Sequence, residues 1–211
     1  ILYRSFLKGA GVLSINSSSE YVERINAILS EKDNADIYIL NDKLTLSVFA
    51  ALEKNLRNVK RIYFIIRDQH YLPHAEEVAR EFEITPNETL FNEYDIIEKN
   101  ELTHFAKAKA MYDFIKKNVE VRRIKPPAKV GVNILIIDDE FMISGTTSLE
   151  LSDIRPERTI NFNSVVNEEM DKSQIVAART EFERIWCADN LTVEYKDVLL
   201  KSISFVYKEH C

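Results

Sequence analysis

The sequence predicts an α/β protein in which a mixed β-sheet carries helices on both of its faces. Short runs rich in β-branched and aromatic residues alternate with longer segments whose apolar residues recur every three or four positions. Of the 211 residues, 45% are hydrophobic and 10% aromatic, which suffices for a core and excludes disordered and fibrous classes. No low-complexity linker and no repeat of roughly 20–50 residues interrupts the pattern. We therefore expect a single domain over residues 1–211.

The first third of the chain predicts three strands separated by two helices. The strands are expected at 12–15, 35–40 and 59–67, and the last, VKRIYFIIR, has the apolar centre of a buried strand. Ser17 and Glu20 have the spacing of a capping box, which predicts the start of the first helix. A second helix is predicted over 44–56, where apolar residues share one face.

Two prolines divide residues 68–97, where only a short helix over 76–82 is expected. The remaining elements are predicted, in chain order, as a helix at 100–117, a strand at 119–124, a loop at Pro126-Pro127, a hairpin of 130–137 and 141–143, a strand at 159–166, and helices at 172–187 and 192–208. This alternation of strands and helices is typical of a sheet covered on both faces.

Composition excludes several classes of function. The formal net charge of −6 argues against a surface that grips phosphate backbones throughout. None of the four glycines precedes Lys-Ser or Lys-Thr, so a Walker-type nucleotide loop is absent from the sequence. Cys187 and Cys211 have neither zinc-ligand spacing nor disulfide density, which favours a reduced, cytoplasmic setting. No apolar run approaches the ~20 residues of a membrane span, so no membrane partner is expected.

Metal binding is not predicted. The acidic run Asp138-Asp139-Glu140 falls at a hairpin tip, where a solvated turn is favoured over a metal site because consecutive side chains diverge. The histidines are scattered along the chain, at His70, His74, His104 and His210. Only the first two have the i, i+4 spacing of helical metal ligands, and Pro73 lies between them.

Residues 129–150, KVGVNILIIDDEFMISGTTSLE, resemble the phospholipase D superfamily motif, which runs His-x-Lys, four residues, Asp, six residues and Gly-Ser-x-Asn. In that family histidines attack phosphorus and protonate the leaving oxygen, while lysine and asparagine bind the phosphate oxygens. Here Gly131 takes the place of the histidine and Asn133 that of the lysine. The resemblance therefore implies a phospholipase D-like fold with no catalytic residue. Its remnant cleft would be lined by Gly131, Asn133, Asp138, Gly145, Thr146 and Ser148.

Two other interpretations of this stretch stay open. One is an active phosphodiesterase or nuclease of the same superfamily, in which a homodimer joins two sites and a histidine such as His104 enters the cleft. The other is a plain buried hairpin in a domain that only binds proteins.

Residues 37–210 are also similar to the phospholipase D-like domains at the N-terminus of bacterial helicases of the SWI/SNF type. The resemblance is carried by Asn100-Glu101-Leu102-Thr103, Phe182-Glu183-x-Ile185-Trp186 and Phe205-Val206-Tyr207-Lys208-Glu209. It implies an accessory domain whose last segment, 190–211, leads into an ATP-dependent motor in a longer parent chain. The motor would bind ATP and Mg²⁺, and this piece would need no cofactor. The absence of an initial methionine and the end at Cys211 fit such a fragment.

A basic island lies between residues 107 and 129. It holds eight bases against two acids, a net charge of +6 that leaves −12 for the remainder of the chain. Its basic residues are Lys107, Lys109, Lys116, Lys117, Arg122, Arg123, Lys125 and Lys129. They are candidates for contacts with a DNA backbone, although a protein contact or a solvated face would give the same pattern. Trp186, on an apolar helical face with Phe182 and Ile185, is expected in the core.

Overall fold

The computed structural model describes residues 13–14, 18–41, 46–67, 101–128, 130–146 and 163–208. These residues form one mixed sheet of eight strands flanked by helices. Within them, no helix combines the length and apolar composition that crossing a bilayer requires.

The helices and strands follow one another closely along the chain. They are β1 (Leu13–Ser14), α1 (Ser18–Leu29), β2 (Ala35–Asn41), α2 (Leu46–Leu56), β3 (Val59–Ile66), α3 (Glu101–Asn118), β4 (Val119–Ile124), β5 (Asn133–Ile137), β6 (Phe141–Gly145), β7 (Asn163–Asn167), α4 (Glu168–Cys187), β8 (Thr192–Glu194) and α5 (Lys196–Lys208). The strand order across the sheet is β1-β7-β6-β5-β2-β3-β4-β8.

The sheet combines a parallel half with an antiparallel half. β2, β3 and β4 are parallel neighbours, joined by helical crossovers as parallel strands require. β5 runs antiparallel to β2, and from it β6, β7 and β1 continue outward as antiparallel strands. β2 therefore lies where the two halves meet, with β3 on one side and β5 on the other.

Alternation along the central strands divides the core between two faces. Ile37 and Ile39 of β2 face the larger core, which α1, α2, α3 and α5 cover. Tyr38 and Leu40 face the smaller core, which α4 covers with residues such as Phe182. The predicted α/β class with helices on both faces is confirmed, because period-2 apolar patterning on both faces requires cover on both.

One predicted element is wrong at its start. The chain from Thr192 was expected to be helical, but Thr192–Glu194 forms strand β8, and the last helix begins at Lys196. β8 pairs antiparallel with the end of β4, and the Thr192 side chain is buried beside it. Two β-branched residues next to a free sheet edge favour pairing over another helical turn.

Other boundaries shift by a few residues. α4 begins at Glu168 rather than at residue 172, because the Asn167 side chain accepts a hydrogen bond from the Met170 backbone amide and caps the helix. Asp171 has non-helical angles inside this helix and marks a kink. The short helix expected at 76–82 and the strand start at 159–162 lie outside the described residues.

Candidate functional site

Three buried asparagines lie in one row at one end of the sheet. Asn133 pairs with Gly145 of β6, and Gly145 pairs in turn with Asn163 of β7. Asn41 follows Leu40, the partner of Ile134, and so continues the row onto β2. The three asparagines are 0% (Asn41), 2% (Asn133) and 6% (Asn163) exposed, so this end of the sheet buries an unusual amount of amide.

The asparagines share a face. Residues two apart on a strand point the same way. Each asparagine stands two residues from a member of the larger core, namely Ile39, Leu135 or Val165. The Asn133 amide also donates to the Thr146 carbonyl, 3.4 Å away. The structure thus brings together Asn133, Gly145 and Thr146 of the predicted cleft, whereas Ser148 lies outside the described residues.

Gly131 stands two residues before β5 and is exposed. A Cβ built on it would find no heavy atom of the described residues within 4 Å. Its backbone does not have a positive φ. Neither space nor backbone strain requires a glycine here. The lack of a histidine at this position is therefore a chemical feature and not a steric one.

Asp138 lies at the opposite end of β5 from Asn133. Five residues at ~3.3 Å each place it about 17 Å from the asparagine row. Its backbone N–H donates to the Asp36 carbonyl, and its carboxylate accepts from the Asp36 backbone amide, both at 2.9 Å. The structure does not bring Asp138 to the predicted cleft but places it where it extends the pairing of β2 with β5.

The acidic turn after β5 is held by cations on both sides. Lys32 contacts Glu140 and lies 3.3 Å from an Asp138 oxygen. Burial lowers the pKa of Lys32, and hydrogen bonds and charge from Glu140 and Asp138 more than offset this, so the pKa is raised. The expected solvated turn is thus a pinned one. The described part of the chain holds no group of three metal-ligating side chains. The side chains of all four histidines lie outside it.

On the other side of the turn, Arg179 of α4 donates to both carboxylate oxygens of Asp139, at 2.8 and 2.7 Å. The same guanidinium lies 5.2 Å from the centre of the Tyr38 ring and bonds Glu183. Those contacts join α4 to the turn and to the sheet. The hydrogen bonds from Asp139 raise the pKa of Arg179 further above its usual range.

The basic island does not form a single surface. Lys109, Lys116 and Lys117 are exposed on α3, where they point away from the larger core, and Lys107 of the same helix is half-buried. Arg122 and Arg123 follow each other on β4 and so face opposite sides of the sheet. Lys129 lies outside the described residues.

The basic residues of β4 and its loop hold the turn before β8. Arg122 donates to Asp189 at 2.7 Å and to the Thr192 hydroxyl at 2.8 Å. Lys125 donates to the Asp189 carbonyl at 2.6 Å, and Arg123 lies 4.7 Å from the Tyr195 ring centre. The exposed lysines of α3 are therefore the part of the island that presents charge to solvent.

Arg67, which the sequence did not single out, reaches the cleft from the end of β3. Its backbone amide donates to the Asn41 carbonyl at 2.9 Å, beside the asparagine row. Its Nη1 donates to the Val130 carbonyl at 3.0 Å, one residue before Gly131. The available signal is a charge directly after an apolar parallel strand, where ligands of open α/β sheets bind.

A groove of about 500 Å³ opens between α4 and the chain leading into β5; we call it the α4 groove. Val130, Gly131 and Val132 line one wall, and Ala178, Phe182 and Ile185 line the wall formed by α4. Glu181 and Arg184, which form an exposed ion pair, also line it. Trp186, expected in the core, is half-buried nearby and packs against Phe182 and Tyr63.

Comparison with known proteins yields similarity in structure alone. No family model and no curated protein matches the sequence. The structure is similar to that of Nuc, a phospholipase D family member from Salmonella typhimurium, with a TM-score of 0.51 and 10% identity over 88% of this chain and 97% of that one. The fold is phospholipase D-like. This confirms the fold that the motif in residues 129–150 implied.

Two further solved structures resemble the phospholipase D-like chain. NucT from Helicobacter pylori has 12% identity and a TM-score of 0.45 over 82% of this chain and 96% of that one. Phosphatidylserine synthase from Haemophilus influenzae has 13% identity and a TM-score of 0.46 over 94% and 43% of the two chains.

Proposed function

We propose that this phospholipase D-like domain binds nucleic acid without cleaving it and serves as an accessory domain of an ATP-dependent helicase of the SWI/SNF type. The observation that carries the non-catalytic part is the buried Asn133, at the position of the motif lysine, next to an open Gly131 at the position of the motif histidine.

The chemistry of these residues supports binding over hydrolysis. A glycine supplies no nucleophile and no proton donor for the leaving oxygen. Asn133 offers amide hydrogens, which bond a phosphate oxygen but bring no positive charge to a transition state. Asn41 and Asn163, at the same end of the sheet, add amides and again no charge.

The exposed lysines of α3 support the nucleic-acid part. Lys109, Lys116 and Lys117 form a set of positive charges on the solvent side of one helix in a chain of net charge −6. Such a set binds phosphate backbones with an affinity that falls as salt rises. Arg122 and Lys125 are engaged with Asp189, so their role in this proposal is to support the fold.

The helicase part rests on the resemblance of residues 37–210 to the domains that precede such motors. In that arrangement ATP and Mg²⁺ belong to the motor, the complex acts in the cytoplasm, and α5 leads toward the motor. The residues that follow in the natural gene test this part. A Gly-Lys-Thr loop with an acidic magnesium motif is expected there, and their absence would remove the helicase from the proposal.

Binding of labelled single- and double-stranded DNA, titrated with salt, tests the central claim. Changing Lys109, Lys116 and Lys117 to Glu should lower the slope of log affinity against log salt for duplex DNA by about 2–3, since each lost phosphate contact removes about 0.9. A charge-matched control changes Lys54, Lys60 and Lys172 to Glu, which should alter the slope by less than about 1.

The same protein is assayed for hydrolysis of a generic phosphodiester. No turnover is expected from the wild type. Turnover would favour the alternative phosphodiesterase, in which a homodimer completes the site. Lack of DNA binding even at low salt would reject nucleic-acid recognition and favour a domain that contacts proteins.

A further inference from the structure

We propose that Arg67 and the α4 groove together bind one nucleotide unit of a nucleic-acid strand, with a phosphate on Arg67 and the base in the groove. This inference rests on the proposed function and names the ligand group that the site takes. It assigns a role to two features outside the phospholipase D-like motif.

Arg67 supplies the positive charge that Asn133 does not. Its guanidinium is fixed by the Val130 carbonyl at 3.0 Å, so the charge stands beside Gly131. Its backbone is fixed by Asn41, a member of the buried row. A planar guanidinium held in place recognises a phosphate better than a mobile lysine, because fewer side-chain conformations are lost on binding.

The α4 groove has the size and lining of a pocket for a flat organic group. Its volume of about 500 Å³ is in the range of small-molecule sites, which are mostly apolar with a few polar groups. Phe182 offers an aromatic surface. Glu181 and Arg184 give one acceptor and one donor to the same groove, a pair that matches the edge of a base and that an acyl chain would leave unused.

Val130 joins the two parts of the site. Its carbonyl accepts from Arg67, and the residue also lines the groove. Gly131 follows it, exposed and without a side chain that would separate a phosphate at Arg67 from a base in the groove. Charge and apolar volume thus adjoin at the position where the motif histidine is missing.

Two labelled strands of equal length, an oligothymidylate and an abasic sugar–phosphate chain, test the site by fluorescence anisotropy. Arg67→Gln should weaken both strands about tenfold, the effect of one charge-assisted contact. Ala178→Phe, which fills the groove, should weaken oligothymidylate about tenfold and change the abasic strand less than about twofold.

Each variant has a matched control. Arg61→Gln removes an exposed arginine from the other end of β3, and Ala177→Phe adds the same ring at an exposed position of α4. Both should bind each strand within about twofold of the wild type. Thermal unfolding verifies that every variant folds, and Val132→Phe replaces Ala178→Phe if that chain does not.

Wild-type affinity for oligothymidylate from Arg67→Gln or from a folded groove-filled variant would overturn the inference while leaving nucleic-acid binding intact. Failure of the wild type to bind either strand would reject the proposed function itself. Vesicles of phosphatidylglycerol form the lipid arm. Vesicle binding that Ala178→Phe abolishes, with oligothymidylate unaffected, would overturn the nucleotide in favour of a lipid.

Discussion

Asp138 shows how a single residue can serve the fold at a position that the motif associates with a cleft. It has a φ of 51°, in the left-handed region that aspartate and asparagine tolerate better than most residues. Its carboxylate and backbone amide both bond Asp36, which adds two hydrogen bonds beyond the last paired residues of β5 and β2. The residue therefore holds the register that places Asn133 at the other end of the strand.

Replacing Asp138 tests this role. Asp138→Ala should lower the free energy of unfolding by about 1–3 kcal/mol, because the Asp36 amide loses its acceptor and alanine is strained at positive φ. Asp138→Asn keeps an acceptor oxygen and tolerates the same φ, so its cost should be less than half as large. Urea unfolding measures both, and equal costs would show that the exposed Lys32 ion pair dominates instead.

At the scale of elements, α4 is the only described helix that covers the smaller core. Phe182 meets Tyr38 edge to face, with ring centres 5.6 Å apart. Arg179 adds a polar connection at the end of the sheet that carries the acidic turn. The helix is thus attached to the sheet by apolar packing at its centre and by a forked ion pair at one side.

Arg179→Gln should cost about 1–2 kcal/mol, because a two-pronged carboxylate contact on a side chain only 33% exposed is lost together with the contact to Tyr38. Arg184→Gln breaks an exposed pair with Glu181 on the same helix and should cost less than about 0.5 kcal/mol. Chemical denaturation compares them. Equal and small losses would mean that apolar packing alone secures α4.

At the scale of the whole molecule, the larger core contains a phenol. Tyr21 of α1 is 1% exposed, and burial raises its pKa well above the usual value. Because the folded-state pKa exceeds the unfolded one, this stability is fully present below about pH 10 and is lost as pH rises toward the folded-state pKa. The raised pKa of Lys32 acts in the same direction.

The stability of Tyr21→Phe should therefore depend less on alkaline pH. Each such group contributes a slope of about 1.4 kcal/mol per pH unit above its unfolded pKa. Between about pH 8 and about pH 11, the variant should lose roughly 1.4 kcal/mol less than the wild type in urea titrations. Parallel losses in the two proteins would mean that the phenol becomes exposed before it ionises.

Much of the fold follows from local patterns in the sequence. The strand predicted at 119–124 has the bounds of β4, and the hairpin turns at Asp138-Asp139-Glu140 as expected. These elements are predictable because apolar alternation and turn residues act over a few positions. β8 was missed because its pairing with β4 spans about seventy residues, and nothing in Thr192-Val193-Glu194 alone indicates a partner.

The sequence by itself determined the α/β class, most element bounds and the replacement of a nucleophile by Gly131. Only the tertiary structure placed Asp138 far from Asn133, gave Arg122 and Arg123 opposite faces, and brought Arg67 to Val130. The physical reason is range. Periodicity and turn chemistry depend on neighbours in the chain, whereas the composition of a site depends on which strand ends meet, and strand register sets that across the whole sheet.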